Sequence, residues 1–164
     1  MSLSPSFPRA LGLSLMAGTA AVALTGCGAV TGLLGAASGQ DDVFQLEVGD
    51  CFTQAEMNAS FSGEEVSGIP TVDCAEEHDA EVYHIEVLPE GDYPGTESLN
   101  ATGEEVCTAE FEEFVGIAYE ESEIYFSLLT PIEQGWTAMD DREIVCYLIT
   151  NGEMVTGTLA GAAR

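Results

Sequence analysis

The sequence predicts an α+β fold: a small antiparallel sheet with one main helix and a short second helix packed on one face, stapled by two disulfides. Three observations carry that expectation. Strand-like runs rich in Val, Ile and Tyr are interrupted by only two helix-like segments, so strands do not alternate regularly with crossover helices. Cys51, Cys74, Cys107 and Cys146 form an even set in a chain that opens with an export leader. Asn151-Gly152 separates "EIVCYLIT" from "EMVTGTL", the strongest short signal for a hairpin.

The leader comes first. Residues 1–26 hold no Asp or Glu and one basic residue, Arg9, followed by the apolar run "ALGLSLMAGTAAVALTG". A charged start, a short apolar core and small residues before a cut describe a secretory signal peptide. Leu24-Thr25-Gly26-Cys27 fits the bacterial lipobox, in which cleavage falls before a cysteine that is then lipidated. An uncleaved membrane anchor is the weaker reading, because spanning a bilayer takes about 20 apolar residues. Acyl chains contribute roughly 0.8 kcal/mol per buried CH₂, so a diacylated Cys27 holds the chain to the membrane. Residues 27–40 continue as a small, uncharged Gly/Ala tether. The extracytoplasmic domain is expected over residues 41–164.

Charge narrows the partners. The chain carries 29 acidic residues against 3 basic ones, for a formal net charge of −26. Such an excess argues against nucleic acid and against charge-driven binding to anionic membrane. It describes a self-repelling, soluble surface, not a job.

"VFQLEVGDCF" alternates Phe44, Leu46 and Val48 and reads as a strand turning at Gly49-Asp50. Residues 54–69 are mostly polar and read as a loop or weak hairpin. "PTVDC" is a short extended piece, and "AEVYHIEVL" (80–88) is a strand. Pro89, Gly91, Pro94 and Gly95 make a turn-rich link. The best helix runs from Thr96 or Thr102 to Gly116. Thr102 and Glu105 offer a capping box, and Gly116 a C-terminal cap. Its apolar side holds Leu99, Val106, Cys107, Phe111, Phe114 and Val115. Glu110 falls inside that arc, so it either pairs with Arg142 or sits at the rim and reaches water.

"IYFSLL" (124–129) reads as a strand. In "TPIEQGWTAMD", Thr130 is a candidate N-cap with Pro131 at the first helical position, and Ile132, Trp136 and Met139 share one side. "EIVCYLIT" and the segment after Asn151-Gly152 complete the hairpin, with Thr150 facing Glu153 and Ile149 facing Met154. Four cysteines allow three connectivities. Cys51–Cys74 and Cys107–Cys146 are favoured because both are short in sequence and staple the two halves separately. Each contributes roughly 3 kcal/mol by restricting the unfolded chain. Zinc is the alternative use of these cysteines, but no CxxC pair supports it.

The stretch "DCAEEHDAEVYH" (73–84) holds both histidines. On a regular strand His84 points with Val82, and Glu81 with Tyr83. His78 and His84 are about 20 Å apart if the chain is extended, so one metal does not take both. A site from His78, Asp79 and another carboxylate has no His-x-x-x-His spacing behind it, and the local reading is stronger: His78 or Asp79 satisfies backbone groups where the strand begins. No Gly-x-Ser-x-Gly is present, and paired carboxylates are uninformative among so many acids. Neither a cofactor nor a catalytic residue is expected.

With these residues laid out, the chain resembles the septum formation family of actinobacterial exported proteins. The matching pieces are "VGDCF" (48–52), "VDCAEEHDAEVY" (72–83), "YPG" (93–95), "FVGIAYEES" (114–122), the segment around Pro131 and Trp136, and "DREIVCYL" (141–148). The resemblance implies an extracytoplasmic domain tied by name to cell division or envelope assembly, and it supplies no catalytic residues. It adds His78, Asp79, Trp136 and Arg142 as positions of interest, for the fold or for a partner. The function expected is a lipid-anchored binding or scaffold component of the cell envelope, with the membrane and an envelope or division protein as partners. The alternatives are a small-ligand or cation-binding surface lipoprotein and, less favoured, an envelope hydrolase.

Overall fold

The computed structural model describes residues 40–41, 46–62 and 68–164. The expected signal peptide, Cys27, nearly all of the tether and Phe44 lie outside the described residues. Six strands are described: β1 (Gln40–Asp41), β2 (Cys51–Phe52), β3 (Ile69–Val72), β4 (Ala80–Val87), β5 (Tyr125–Leu129) and β6 (Glu143–Ile149). They lie in the order β1-β3-β2-β4-β6-β5, and every neighbouring pair is antiparallel. Five strands form the main sheet, and β1 adds a two-residue edge pairing with Pro70 and Ile69.

Among the described residues three α-helices, α1 (Gln54–Phe61), α2 (Thr96–Val115) and α3 (Glu133–Ala138), and a 3₁₀ turn at Tyr119–Glu121 accompany the sheet. Alternation along β6 sorts the core into two faces. Ile144, Cys146 and Leu148 meet Cys107, Phe111 and Val115 of α2. Val145 and Tyr147 meet Phe52, Ile69, Val82 and Met57 of α1 on the other side. Covering both faces explains why "EIVCYLI" is nearly all apolar.

α2 begins at Thr96, the earlier of the two expected starts, with Gly95 as N-cap. Thr102 and Glu105 therefore lie within the helix and do not cap it. The helix ends at Gly116, whose φ of 93° is left-handed and whose N–H returns to the Glu112 carbonyl. Leu99, Cys107, Phe111 and Val115 are buried as the periodicity predicts. Gly103 joins them because a Cβ there would come within 3.1 Å of Leu128 and 3.2 Å of Ile144, so the helix approaches the sheet closely at this point. Both disulfides form in the favoured pairing, Cys51–Cys74 and Cys107–Cys146. The second ties α2 to β6.

Several local expectations are corrected. Residues 54–61 form α1 and not a loop: Thr53 is its N-cap, its hydroxyl accepting the Glu56 N–H at 3.2 Å and donating to the Glu56 carboxylate at 2.9 Å. Leu46 is buried, but Val48 sits in an exposed turn and shares no buried face with it. α3 starts at Glu133 with Ile132 as N-cap, so Thr130 caps nothing. Of its expected apolar side only Trp136 is buried; Ile132 is 65% and Met139 53% exposed.

The terminal hairpin does not form as a strand pair. Asn151 and Gly152 make the turn, with φ of 56° and 86° and a Glu153 N–H to Thr150 carbonyl bond of 3.2 Å. But β6 already has β4 on one edge and β5 on the other, with Ile149 opposite both Ala80 and Tyr125. The returning chain has no edge to join. It crosses to His78 instead, where His78 and Val155 exchange backbone bonds of 3.0 and 2.8 Å. From there it runs as a strap over the α2 face. Leu159 enters the core, and the Gly161 and Ala163 N–H groups bond to the Phe114 and Val115 carbonyls at 2.7 and 2.9 Å.

Candidate functional site

The four polar positions singled out in sequence do not converge on one site. His78 and Asp79 precede β4, while Arg142 bonds through its carbonyl to the Leu88 N–H just past the strand's far end. Eight residues at about 3.3 Å each put the two groups on the order of 25 Å apart. They form two separate clusters.

At the first end, Asp79 Oδ1 accepts the Gln54 N–H at 2.7 Å and Oδ2 accepts the Gln54 side-chain amide at 3.2 Å. Gln54 opens α1, so Asp79 satisfies a backbone donor that the helix leaves free. His78 is fully buried, and its Nδ1 lies 2.9 Å from the Glu76 carbonyl. A carbonyl only accepts, so Nδ1 carries the proton, and in the neutral ring Nε2 presents a lone pair. That Nε2 is buried without a partner. Beside it lies Glu81, 1% exposed, whose carboxylate accepts the Thr158 hydroxyl at 2.6 Å and the Leu159 N–H at 2.5 Å. Cys51 Sγ, a ring nitrogen of His78 and a Glu81 oxygen all lie within 4.8 Å of one another. Sequence reading passed over Glu81, although its parity with Tyr83 placed it on the face of a large aromatic residue.

The expected direction of His84 is corrected. The β4–β6 register shifts between Val82 and His84, so one extra residue intervenes and alternation resumes with the opposite parity. His84 faces Cys146, on the α2 side, where its Nδ1 lies 3.7 Å from Glu110. Glu110 therefore does not pair with Arg142; it sits at the rim, its side chain 42% exposed. Tyr83, next to the bulge, donates its hydroxyl to the Cys107 carbonyl at 2.6 Å and packs edge-on against Phe111. Burial pushes its phenol far above the ordinary range, aided by Tyr119 and Glu110.

At the second end, the Arg142 guanidinium lies 4.0 Å above the Trp136 ring. It donates to the Trp136 and Asp141 carbonyls at 2.8 and 2.9 Å and pairs with Asp140 at 2.9 Å. Trp136 donates Nε1–H to the Gly91 carbonyl at 2.8 Å and meets Tyr93 edge-on. The pieces "YPG", the Pro131–Trp136 segment and "DREIV" thus meet in space. Beside them opens a cleft of about 550 Å³, lined by Val87, Leu88, Met139, Glu90, Asp141 and Glu143, with Arg142 on its wall. Burial raises the Asp141 carboxyl above its ordinary value, opposed by the Glu143 N–H and by Arg142. Most of the polar capacity of Arg142 and Trp136 is spent on holding α3 and the 89–95 link to the start of β6. No described helix is long and apolar enough to cross a membrane.

Two disulfides in a small α+β domain are the pattern of proteins from an oxidising, extracytoplasmic compartment. Within that class the family is settled by sequence. A family model described as septum formation matches residues 24–162, and the chain belongs to that family. No curated protein and no solved structure matches it.

Proposed function

We propose that this protein is a lipid-anchored binding or scaffold component of the cell envelope that acts in septum formation, and that it is not an enzyme. The observation that carries the reading is the family match over residues 24–162, which spans the lipobox and the disulfide-stapled domain together. In this reading Cys27 bears the acyl chains, the tether sets the reach, and the domain faces the exterior. The use of Asp79 on the Gln54 N–H and of Arg142 on backbone carbonyls supports a structural role for the residues a hydrolase would otherwise employ.

Time-lapse fluorescence of a tagged copy that keeps its leader tests the division role. A band at nascent septa is the expected result, and an even outline around the cell refutes it. Intact mass tests the anchor: the mature chain starts at Cys27 with acyl additions, and an unprocessed Met1 form overturns it. The cleft beside Arg142 favours a second reading, a small-ligand or cation-binding lipoprotein, since its volume falls within the roughly 300–1,000 Å³ typical of ligand sites. Calorimetric titration with Ca²⁺ and wall fragments separates the two, because a pure scaffold gives no saturable heat.

A further inference from the structure

We propose that the Cys51–Cys74 pair, once reduced, joins His78 and Glu81 in a tetrahedral zinc site, so that this end of β4 is closed either by a disulfide or by a metal. The observation behind it is the buried His78 Nε2, which has no partner while Nδ1 is held by the Glu76 carbonyl. That arrangement is the usual one for a metal-ligating histidine, whose second ring N–H is pinned by an outer acceptor. Cys51 Sγ and a Glu81 oxygen lie with a ring nitrogen of His78 inside a 4.8 Å span. Zinc bonds of about 2.0–2.3 Å require ligand separations of roughly 3.3–3.8 Å, so these three ligands close in on the metal and Cys74, freed from Cys51 by reduction, swings in as the fourth.

In the disulfide state the sulfur has no thiolate charge and binds zinc poorly. A dithiol reductant changes this by exchange. Two electrons and two protons pass to the protein, the Cys51–Cys74 bond breaks to two thiols, and the reductant closes its own disulfide. Zn²⁺ then displaces both thiol protons, giving two thiolates, one neutral imidazole and one carboxylate. Cys74 supplies the access. It sits half-buried in the turn between β3 and β4, whereas Cys51, His78 and Glu81 are buried. Cys107 and Cys146 differ, being fully buried in an aromatic core. Among the described residues, Cys51, His78 and Glu81 are the one group of three ligands at this spacing.

The test uses the folded chain with Co²⁺ as probe. Mild dithiol treatment followed by alkylation and mass mapping identifies which disulfide has opened. The expected result is one Co²⁺ per reduced chain, with thiolate charge-transfer and tetrahedral visible absorption, displaced by Zn²⁺ and absent from the oxidised protein. Zinc protects Cys51 and Cys74 from alkylation, and His78→Gln weakens Co²⁺ binding by at least about tenfold. A folded, reduced chain that takes up no Co²⁺, or takes it up with an octahedral oxygen-ligand spectrum, overturns the proposal. So does zinc protection of Cys107 and Cys146 instead, or unchanged affinity in a folded His78→Gln. If reduction unfolds the chain, zinc must restore the far-ultraviolet circular dichroism, and failure to do so overturns the site. Should His78→Gln fail to fold, X-ray absorption of the zinc-loaded native chain decides: two sulfurs with imidazole scattering support it, and no imidazole refutes it.

Discussion

Arg142 lies over the Trp136 ring at 4.0 Å and donates to the Trp136 carbonyl at 2.8 Å, so one side chain grips both the ring and the backbone of α3. Lysine keeps the charge but loses the planar stack and the fork of donors. Arg142→Lys is expected to cost about 1–3 kcal/mol, drawn from the lost stacking and from carbonyls left short of donors. Urea unfolding followed by Trp136 fluorescence measures it. A shift under about 0.5 kcal/mol would mean that the exposed Asp140 pair is all Arg142 provides.

Glu81 holds the C-terminal strap across the α2 face by accepting from Thr158 and Leu159. Hydrogen bonds to a charged group contribute about 1.5–3 kcal/mol, and Glu81→Ala also leaves the buried Leu159 N–H without an acceptor. Glu81→Ala is therefore expected to cost on the order of 3 kcal/mol and to raise hydrogen exchange over residues 155–163. Glu81→Gln keeps an acceptor and should lose less. Equal losses in the two variants would count against the carboxylate's role.

Gly116 ends α2 in the left-handed region at φ 93°. Any side chain there meets the following carbonyl, at a cost of about 1–2 kcal/mol. Gly116→Ala should lower stability by that amount, and Gly116→Asn by less, because Asn tolerates this conformation. Thermal melts of the two variants should preserve that order.

Asp141 gives the acid side of the stability curve a particular sign. Its carboxyl is raised in the folded chain, chiefly by burial, so the folded state binds more protons than the unfolded one. Stability from this group is full below the unfolded value of about 3.9 and is lost as pH rises through the folded value. Asp141→Asn keeps an acceptor for the Glu143 N–H and removes the charge. Its melting temperature relative to the native chain should therefore climb as pH is raised from about 4 towards 7. A difference that stays flat, or shrinks, rejects burial as the dominant cause.

Where sequence reading failed, the signals were nonlocal or thin. α1 carried its N-cap in Thr53, but only Met57 is buried on it, so the periodicity that reveals a helix was missing. The bulge at Tyr83 left no mark in the alternation of "AEVYHIEV", yet it turned His84 towards Glu110. Asn151-Gly152 did make its turn, and the strand pairing it announced was blocked by β5 on the edge it needed.

By itself the sequence determined what depends on residue type and short spacing: the family, the disulfide-bonded α+β class, α2 with its Gly116 stop, and the strands around Tyr83 and Cys146. Tertiary structure alone decided which side chains meet. It separated His78 and Asp79 from Trp136 and Arg142 by the length of β4, and it sent the last residues across α2. It also buried Glu81 beside His78. The physical reason is that edges, parity and burial belong to the assembled sheet, where one occupied edge or one extra residue redirects everything beyond it.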